Sequence, residues 1–507
     1  MGGNRGEESL PKMPGDALPT VAAKRLAATV GSASLCDPKG GEFQRENQLA
    51  GVSLAGILPK KMTTPLRSIL ARRNVWTWCL YDWGNSAYST SVIAVLLPIF
   101  YEGLFGETGQ WTFALFGRQW TTSATAMWMY SSGIYMLLAA AAAPVLGAMA
   151  DSIRGKRWFL AGFAALGVAF TAMLGTIGPG QFLLCSLFYI ISGFGWTAAN
   201  VFYEGFLPEL ARRPEEMEPI SIGGFAAGYL GGGLMLAINL VMVTWPGLIG
   251  LDDIGSAVRA CFIVIAAWWA GFALPLLLAA REVGAGSGRR PGRSLVGEGF
   301  ARVAATLRKV RRLPQLSRFL LAFLFYHTGI GTMMVVAAIF AKGDLHLGYG
   351  TIVGCLLMVQ FVALPATFGF LALSRAIGSR NCIVLGIVVF IGVVLFATQM
   401  HFAWQFWVLG VMVALVTGGT QAISRSIFGS MIPPGLNAEF FGFFSVYAKV
   451  GSFAGPLVFG VCRDLTGSSR LSILFVAAFF VVGLAILLTV RVSRGVEEAA
   501  AFELPEN

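Results

Sequence analysis

Charged side chains are scarce in this sequence: Asp, Glu, Lys and Arg make up only 12% of its 507 residues. A soluble globular chain carries roughly 25%, so the composition excludes an ordinary cytosolic enzyme and a disordered protein. Cysteine is sparse as well, and none of the seven cysteines forms a CxxC pair. The sequence therefore offers neither a disulfide framework nor a cysteine-based zinc motif.

Common catalytic motifs are also absent from the sequence. It contains no GxxxxGK(S/T) phosphate loop and no GxSxG nucleophile turn, and its three histidines lie far apart. We therefore expect neither an enzyme nor a pump driven by ATP, and we expect no cofactor and no metal ion.

Long apolar runs are what the sequence has in abundance, with 56% hydrophobic residues and a mean hydropathy of +0.70. A bilayer core of about 30 Å is crossed by roughly 20 apolar helical residues, and twelve runs of that kind predict twelve transmembrane helices. Their predicted limits are 78–102, 126–150, 157–177, 181–206, 221–245, 258–280, 318–341, 349–373, 380–399, 404–424, 440–462 and 471–491.

Polar segments divide the chain into two sets of six predicted spans. The predicted parts are a polar, disordered N-terminal tail (1–74), an N-terminal six-helix bundle (75–281), a basic cytoplasmic linker (282–317), a C-terminal six-helix bundle (318–492) and a C-terminal tail (493–507). Alternate loops carry most of the Arg and Lys residues, and basic loops stay in the cytoplasm. Both termini are therefore predicted to be cytoplasmic, and these loops explain the net charge of +11 without a nucleic-acid partner.

A motif after the second predicted span resembles the gating motif of the major facilitator superfamily. It has Gly147, then Asp151 four residues on, then basic Lys156 and Arg157. The resemblance implies an all-α membrane protein with twelve transmembrane helices in two pseudo-symmetric six-helix bundles. It also implies that these four residues form an inner gate, although the rule of positive inner loops alone explains the two basic ones.

Two further stretches are more specific. The sequences YDWGNSAYST at 81–90 and GGTQAISRS at 418–426 resemble the UMF1 family of facilitators, relatives of the fungal vacuolar amino-acid effluxer of autophagy. The resemblance implies export of a small organic solute, amino acids first. The chain departs from the family pattern at His327, where an Asn-Asp pair is expected to begin, and at Glu204, where Asn is expected. A role that an acid in span seven plays in other family members is therefore not assigned to any residue of this chain.

Span one carries Asp82, Asn85 and Ser89 at helical spacing, so these side chains share one face. A carboxylate in lipid costs at least ~2.5 kcal/mol unless it faces water or a partner. One interpretation is that this face lines a central path, where Asp82 binds a proton or a substrate amine. The other is that Asp82 caps the helix at its cytoplasmic end or pairs with Arg72 or Arg73.

Span four carries Asn200, Tyr203 and Glu204, again at short helical steps. We interpret Asn200 as part of the wall of the path. Two roles are open for Glu204: a carboxylate that couples transport to protons, or an ion-pair partner of a loop arginine at the inner mouth.

The later spans add ionisable groups. His327 in span seven either carries a coupling proton or is a structural histidine near the helix start. In span ten, Gln421 and Arg425 share a face, and Arg425 either clamps a substrate carboxylate or pairs with Glu439. Lys449 lies deep in span eleven, where a lysine is costly, so either an acid or a water path lies near it or its side chain snorkels toward the membrane surface.

The sequence thus predicts a secondary transporter that works by alternating access and exports amino acids or similar metabolites in exchange for protons. The alternatives are an uncoupled facilitator, an exporter of lipids or hydrophobic compounds, and a membrane scaffold that transports nothing. We expect a monomer in a bacterial plasma membrane, or in a vacuolar membrane if the source is eukaryotic.

Replacing Asp82 with Asn removes the charge and keeps the shape of the side chain. We expect Asp82→Asn to reduce solute flux in proteoliposomes while leaving membrane insertion intact. Flux equal to that of the wild type would remove Asp82 from the mechanism.

Overall fold

The structure is a computed structural model that describes residues 64–105, 110–115, 118–152, 155–279, 308–343, 345, 347–466 and 469–502. The predicted N-terminal tail up to residue 63, and the predicted linker up to residue 307, lie outside these ranges, whereas residues 308–312 of the linker are helical.

Helices make up most of the described N-terminal half. After α1 (Thr64–Leu70), a first rod over 73–104 consists of α2 (Arg73–Ala87), a π-helical segment (Tyr88–Leu96) and α3 (Leu97–Leu104). The helices that follow are α4 (Ala124–Ser152), α5 (Lys156–Leu174), α6 (Phe182–Gly205), α7 (Leu207–Leu210), α8 (Met217–Thr244) and α9 (Ile254–Ala279). Short 3-10 turns at Pro214–Glu216 and Pro246–Ile249 flank α8.

The C-terminal half also consists of long helices. They are α10 (Pro314–Gly343), α11 (Tyr349–Ile377), α12 (Ser379–Thr398), α13 (Ala403–Ser430), α14 (Asn437–Thr466) and α15 (Ser469–Leu487), followed by the short α16 (Val492–Ala500). Nine helices of the described ranges are long and apolar enough to cross a bilayer: α5, α6, α8, α9, α10, α11, α12, α13 and α15. The three other predicted spans coincide with the first rod, α4 and α14.

The first rod begins and α15 ends on the same side of the molecule, which we call the terminal face. On this face, Nε of Arg380 at the start of α12 donates to the carbonyl oxygen of Leu487 at 3.2 Å. Helix α16 is tied to the start of α10, because the Gln315 amide donates to Glu498 at 3.1 Å and the Arg491 amide donates to Oε1 of Gln315 at 2.8 Å.

A β-hairpin connects the first rod to α4 on the opposite face. Strands β1 (Gln110–Leu115) and β2 (Arg118–Ser123) pair antiparallel, with Gln110 opposite Ser123 and Leu115 opposite Arg118. The ring of Trp111 lies 5.1 Å from that of Phe182 at the start of α6, which fixes the hairpin to the helices. Sequence analysis did not predict this hairpin.

The first rod changes its winding at its centre. The hydroxyl groups of Ser89 and Thr90 both donate to the carbonyl oxygen of Ser86, at 3.1 and 2.5 Å. Such side-chain bonds compete with the backbone ladder of a helix, and the π-helical segment begins at Tyr88. Short π-helical turns are frequent at functional sites, and this one follows the polar face of α2.

The two halves meet along α4 and α14, and along α8 with α11 and α13. One part of this seam is apolar, where Val95, Leu236 and Val353 pack together. Toward the terminal face it is polar: the hydroxyls of Ser374 and Ser379 both donate to the Glu218 carboxylate.

Glycines in α8 allow the first rod to pack very close to it. A Cβ atom at Gly228 would lie 2.6 Å from Oγ of Ser86, and one at Gly231 would overlap the backbone carbonyl of Trp83. Backbone atoms cannot move aside as a side chain can, so the contact at Gly231 is the least tolerant of added volume.

We expect Gly231→Ala to lower the stability of the protein by about 1–3 kcal/mol, because the new methyl group pushes the rod away from α8. Gly162→Ala in α5 is the matched control, since nothing lies within 4 Å of a Cβ atom there. Thermal unfolding in detergent measures both variants. An equal melting temperature for the two would contradict the close packing described here.

Candidate functional site

Arg425 of α13 reaches across the seam into the N-terminal half. Its Nε and Nη2 atoms donate to the hydroxyl and the carbonyl oxygen of Ser221 in α8, each at 3.0 Å. Its Nη1 atom lies 3.9 Å from Oδ2 of Asp82 in α2. The residue is only 3% exposed, so a buried cation of one half is held by groups of the other.

Aromatic rings of the N-terminal half surround the same guanidinium. Its central carbon lies 4.9 Å from the ring centre of Trp78, 5.9 Å from that of Tyr203 and 4.5 Å from that of Phe225. Cations are attracted to aromatic faces at such distances. Trp78 and Tyr203 also stack at 4.5 Å, and Nε1 of Trp78 donates to the Tyr203 carbonyl oxygen at 2.9 Å, which joins α2 to α6.

Asp82 therefore faces Arg425, whereas the sequence suggested Arg72 or Arg73 as its partner. Arg72 instead pairs with Glu216, just before α8, at 2.9 Å. Partial desolvation raises the pKa of Glu216, but a hydrogen bond from the Arg212 amide and the charge of Arg72 together lower it below its usual value. The ion pair at the terminal face is thus separate from the Asp82 site.

The two predicted asparagines meet. Nδ2 of Asn85 donates to Oδ1 of Asn200 at 2.9 Å, and this bond joins α2 to α6 one helical turn from Asp82. Ser89, on the same predicted face, turns back to the Ser86 carbonyl oxygen.

Lys449 lies near the middle of α14 and reaches α6 of the other half. Its Nζ atom lies 4.8 Å from the ring centre of Trp196. It also interacts electrostatically with Glu204 of α6, so an acid is present near this lysine. None of the ion pairs within 4 Å in the described ranges involves Glu204.

His327 joins the surroundings of Lys449 from α10. Its ring stacks on Phe323 at 4.7 Å, and its Nδ1 atom is buried without a hydrogen-bond partner. The histidine also interacts electrostatically with Lys449. A buried ring nitrogen without a partner is available to a proton, a water molecule or a solute.

Two predicted residues of α13 and α14 are placed differently. Gln421 is half-buried one helical turn before Arg425, on the same face of α13. Glu439, the alternative partner of Arg425 in the sequence analysis, lies 3.4 Å from Nζ of Lys309.

The predicted inner gate is described only in part. The side chains of Gly147 and Asp151 lie outside the described residues. Lys156 pairs with Glu209 of α7 at 2.5 Å, and the Arg157 guanidinium lies 4.8 Å from the ring centre of Trp158. Both of these contacts are within the N-terminal half.

The site thus combines charges of both signs from both halves. Asp82 and Glu204 supply two negative charges from the N-terminal half, and Arg425 and Lys449 supply two positive charges from the C-terminal half. Such a set is chemically complementary to a small molecule that itself carries both charges. Within the described ranges, no group of three or more His, Cys, Asp or Glu side chains converges as a metal site would require.

Sequence reasoning missed several residues of the site. Trp78 lies four residues before Asp82, and Ser221 lies four residues before Phe225, so each pair shares a helix face. Helical spacing could have added Trp78 to the polar face of α2. Nothing in the sequence connects Ser221 with Arg425, because this contact depends on how the two halves pack.

Comparisons with known proteins agree with a transport protein. A family model described as "Vacuole effluxer Atg22 like" matches residues 70–500. An uncharacterized MFS-type transporter of Bacillus subtilis (strain 168), YxiO, is 33% identical over 81% of this chain and 93% of its own length. Autophagy-related protein 22 of Eremothecium gossypii is 23% identical over 84% of this chain and 92% of its own length.

Solved structures with the same fold are transporters of the major facilitator superfamily. The human organic anion transporter MFSD10 (TETRAN) superposes with a TM-score of 0.64 at 14% identity, over 82% of this chain and 99% of its own. FucP in its outward conformation gives a TM-score of 0.60 at 13% identity, over 83% of this chain and 100% of its own. At such low identity the likeness concerns the fold alone, and it confirms the predicted all-α membrane fold.

Lys449 and Glu204 provide a test of charge coupling across the seam. Lys449→Ala removes one of the two cations, Arg425 and Lys449, that act electrostatically on Glu204, and a charge in the bilayer that lacks compensation costs ~2.5 kcal/mol or more. We therefore expect Lys449→Ala to lower the folded yield or the melting temperature, and the double variant Lys449→Ala/Glu204→Gln to recover much of the loss.

Arg494→Ala is the control for this experiment, because Arg494 is 62% exposed and its pair with Glu498 lies within one helix. Exposed pairs of this kind contribute about 0.3–0.5 kcal/mol. If the double variant is as unstable as Lys449→Ala, then Glu204 is not the compensating group.

Proposed function

The chain belongs to the family of Atg22-like vacuole effluxers within the major facilitator superfamily, and we propose that it exports amino acids or similar small metabolites by proton-coupled alternating access. It is an integral membrane transport protein and not an enzyme, and it acts on a small-molecule solute. The resemblance to the UMF1 family found in the sequence is confirmed by the family match.

One observation carries the proposal for the solute: the four charged groups at the seam, of which Arg425 is buried and the other three half-buried, are divided between the halves by sign. An amino acid carries an ammonium group and a carboxylate. The acids of the N-terminal half suit the ammonium group, and the bases of the C-terminal half suit the carboxylate. A solute bound in this way touches both halves, which alternating access requires of a central site.

Polar contacts at the terminal face support the alternation of states. The Ser221 hydroxyl donates to the Ala422 carbonyl oxygen at 2.8 Å, and Glu218 accepts bonds from two serines of the other half. Water can replace each of these bonds, at a net cost of about 1 kcal/mol for the neutral bond and about 1.5–3 kcal/mol for each bond to the carboxylate. We propose that this part of the seam opens during transport and that the α8–α11 contact near Val95 persists as the pivot.

Titratable groups support the coupling to protons. Glu204, Lys449 and His327 come from three helices and influence one another electrostatically. We propose that a proton binds to one of these three residues as the solute leaves its site at Asp82 and Arg425. An exporter of hydrophobic compounds has less support, since charged groups meet across the seam.

The relative in Bacillus subtilis and the basic residues of the terminal face support a bacterial plasma membrane with both termini in the cytoplasm. Arg72, Arg212, Arg375 and Arg380 all lie at or beside helix ends on this face. Basic residues in loops remain on the cytoplasmic side of such membranes.

An untargeted comparison of solutes in cells with and without the protein identifies the substrate. Proteoliposomes loaded with that solute then test coupling. One pH unit supplies about 1.4 kcal/mol per proton, so one-to-one antiport sustains a solute ratio about tenfold higher per unit. We expect release to be faster when the outside is acidic.

The flux measurement includes one control variant and one variant of the proposed site. Arg494→Ala is expected to transport like the wild type, and Asp82→Asn is expected to lose flux. A wild-type flux that does not respond to the imposed pH gradient would exclude antiport and favour an uncoupled facilitator.

A further inference from the structure

The guanidinium of Arg425 occupies a binding site built wholly by the other half of the molecule. The residues of this site, which we call the cation cage, are Trp78, Asp82, Tyr203, Ser221 and Phe225. They supply three aromatic rings, one carboxylate, one hydroxyl and one carbonyl oxygen. These are the groups with which proteins bind organic cations.

Space for the cation is provided by a glycine. A Cβ atom at Gly224 would lie 3.0 Å from Nη2 of Arg425 and 2.6 Å from the Trp78 ring. The glycine thus lets α8 approach the ring and the guanidinium together. The cage suits a planar or small cation. Among the residues that the structure describes, the C-terminal half contributes the Arg425 guanidinium as its occupant.

The contact with Asp82 is the loose one. Nη1 of Arg425 lies 3.9 Å from Oδ2 of Asp82, beyond hydrogen-bond distance, whereas the bonds to Ser221 are 3.0 Å long. A second cation approaching the carboxylate therefore meets an oxygen that accepts no hydrogen bond from Arg425.

Separation of the halves at the terminal face withdraws Arg425 from the cage. Asp82 would then lose the cation that faces it, and removing one partner of a desolvated pair is costly. Another cation must replace the guanidinium if opening is to be easy.

We propose that the cation cage is the binding site for the cationic group of the solute, and that Arg425 is a tethered occupant which this group replaces. The proposal rests on the transport function proposed above and adds the rule that links binding to opening. A solute with an ammonium or guanidinium group stabilises the open terminal face because it fills the cage, and the released Arg425 then faces the carboxylate of the same solute.

Binding of methylguanidinium to the full-length protein in detergent tests this assignment without a need for the transported solute. Arg425→Ala empties the cage, so millimolar methylguanidinium chloride is expected to raise the melting temperature of this variant by about 2–4 °C. Methylurea has the same shape without the charge and is expected to have no effect. The wild type, whose cage is filled, is expected to shift much less.

The double variant Arg425→Ala/Asp82→Asn lacks the carboxylate of the cage and is expected to lose the shift. Equal shifts in the single and the double variant, or no shift in either, would overturn the proposal. If Arg425→Ala does not fold, recovery of folded protein when methylguanidinium is present during purification supports the cage, and failure of recovery counts against it.

The outcome is independent of the transport assay. A methylguanidinium shift in Arg425→Ala together with an absence of flux in the wild type would contradict the proposed transport function and support the cage. Flux in the wild type without any melting-temperature shift in Arg425→Ala would support the proposed transport function and contradict the cage.

Discussion

A charge buried within lipid must be compensated, and this constraint decides how the two halves of the molecule meet. Arg425 is almost fully buried, and every group described around its guanidinium belongs to the opposite half. Lys449 likewise reaches the ring of Trp196 and the charge of Glu204 across the seam. Neither cation is tolerable in its own bundle without the other bundle. The charges that we propose to bind the solute are therefore also a reason that the halves associate.

Close packing of small residues allows these charges to meet. The glycines of α8 bring the first rod near enough for Trp78 and Asp82 to form one site with Ser221 and Phe225. Lipid supplies no hydrophobic drive for helices to associate, so contact at short distance has to provide the attraction. Gly224 illustrates the link between packing and function, because the space it leaves is shared by a ring and a guanidinium.

Long apolar runs made the helices predictable, since hydropathy over about 20 residues responds directly to bilayer thickness. Helical spacing also grouped Asp82 with Asn85. The cost of a lysine within the membrane predicted an acid near Lys449, and Glu204 interacts with it electrostatically. The π-helical segment and the hairpin were not predicted, because they depend on a local competition for one carbonyl and on strand pairing. The partner of Arg425 was not predictable either, since Asp82 and Ser221 lie in the other half and only tertiary packing brings them together.

The Glu218 contact carries a consequence for the balance between states. In the second half, Leu373 follows Gly369 by four residues, whereas in the gating-like motif of the first half Asp151 follows Gly147. The carboxylate at this corner, where α8 meets the end of α11, is that of Glu218, and it accepts two serine hydroxyls. A hydrogen bond to a charged group contributes roughly 1.5–3 kcal/mol, so the two bonds at this corner favour the arrangement in which α8 and α11 meet. Under the proposed alternation, the free energy needed to part this corner has to come from whatever occupies the interior.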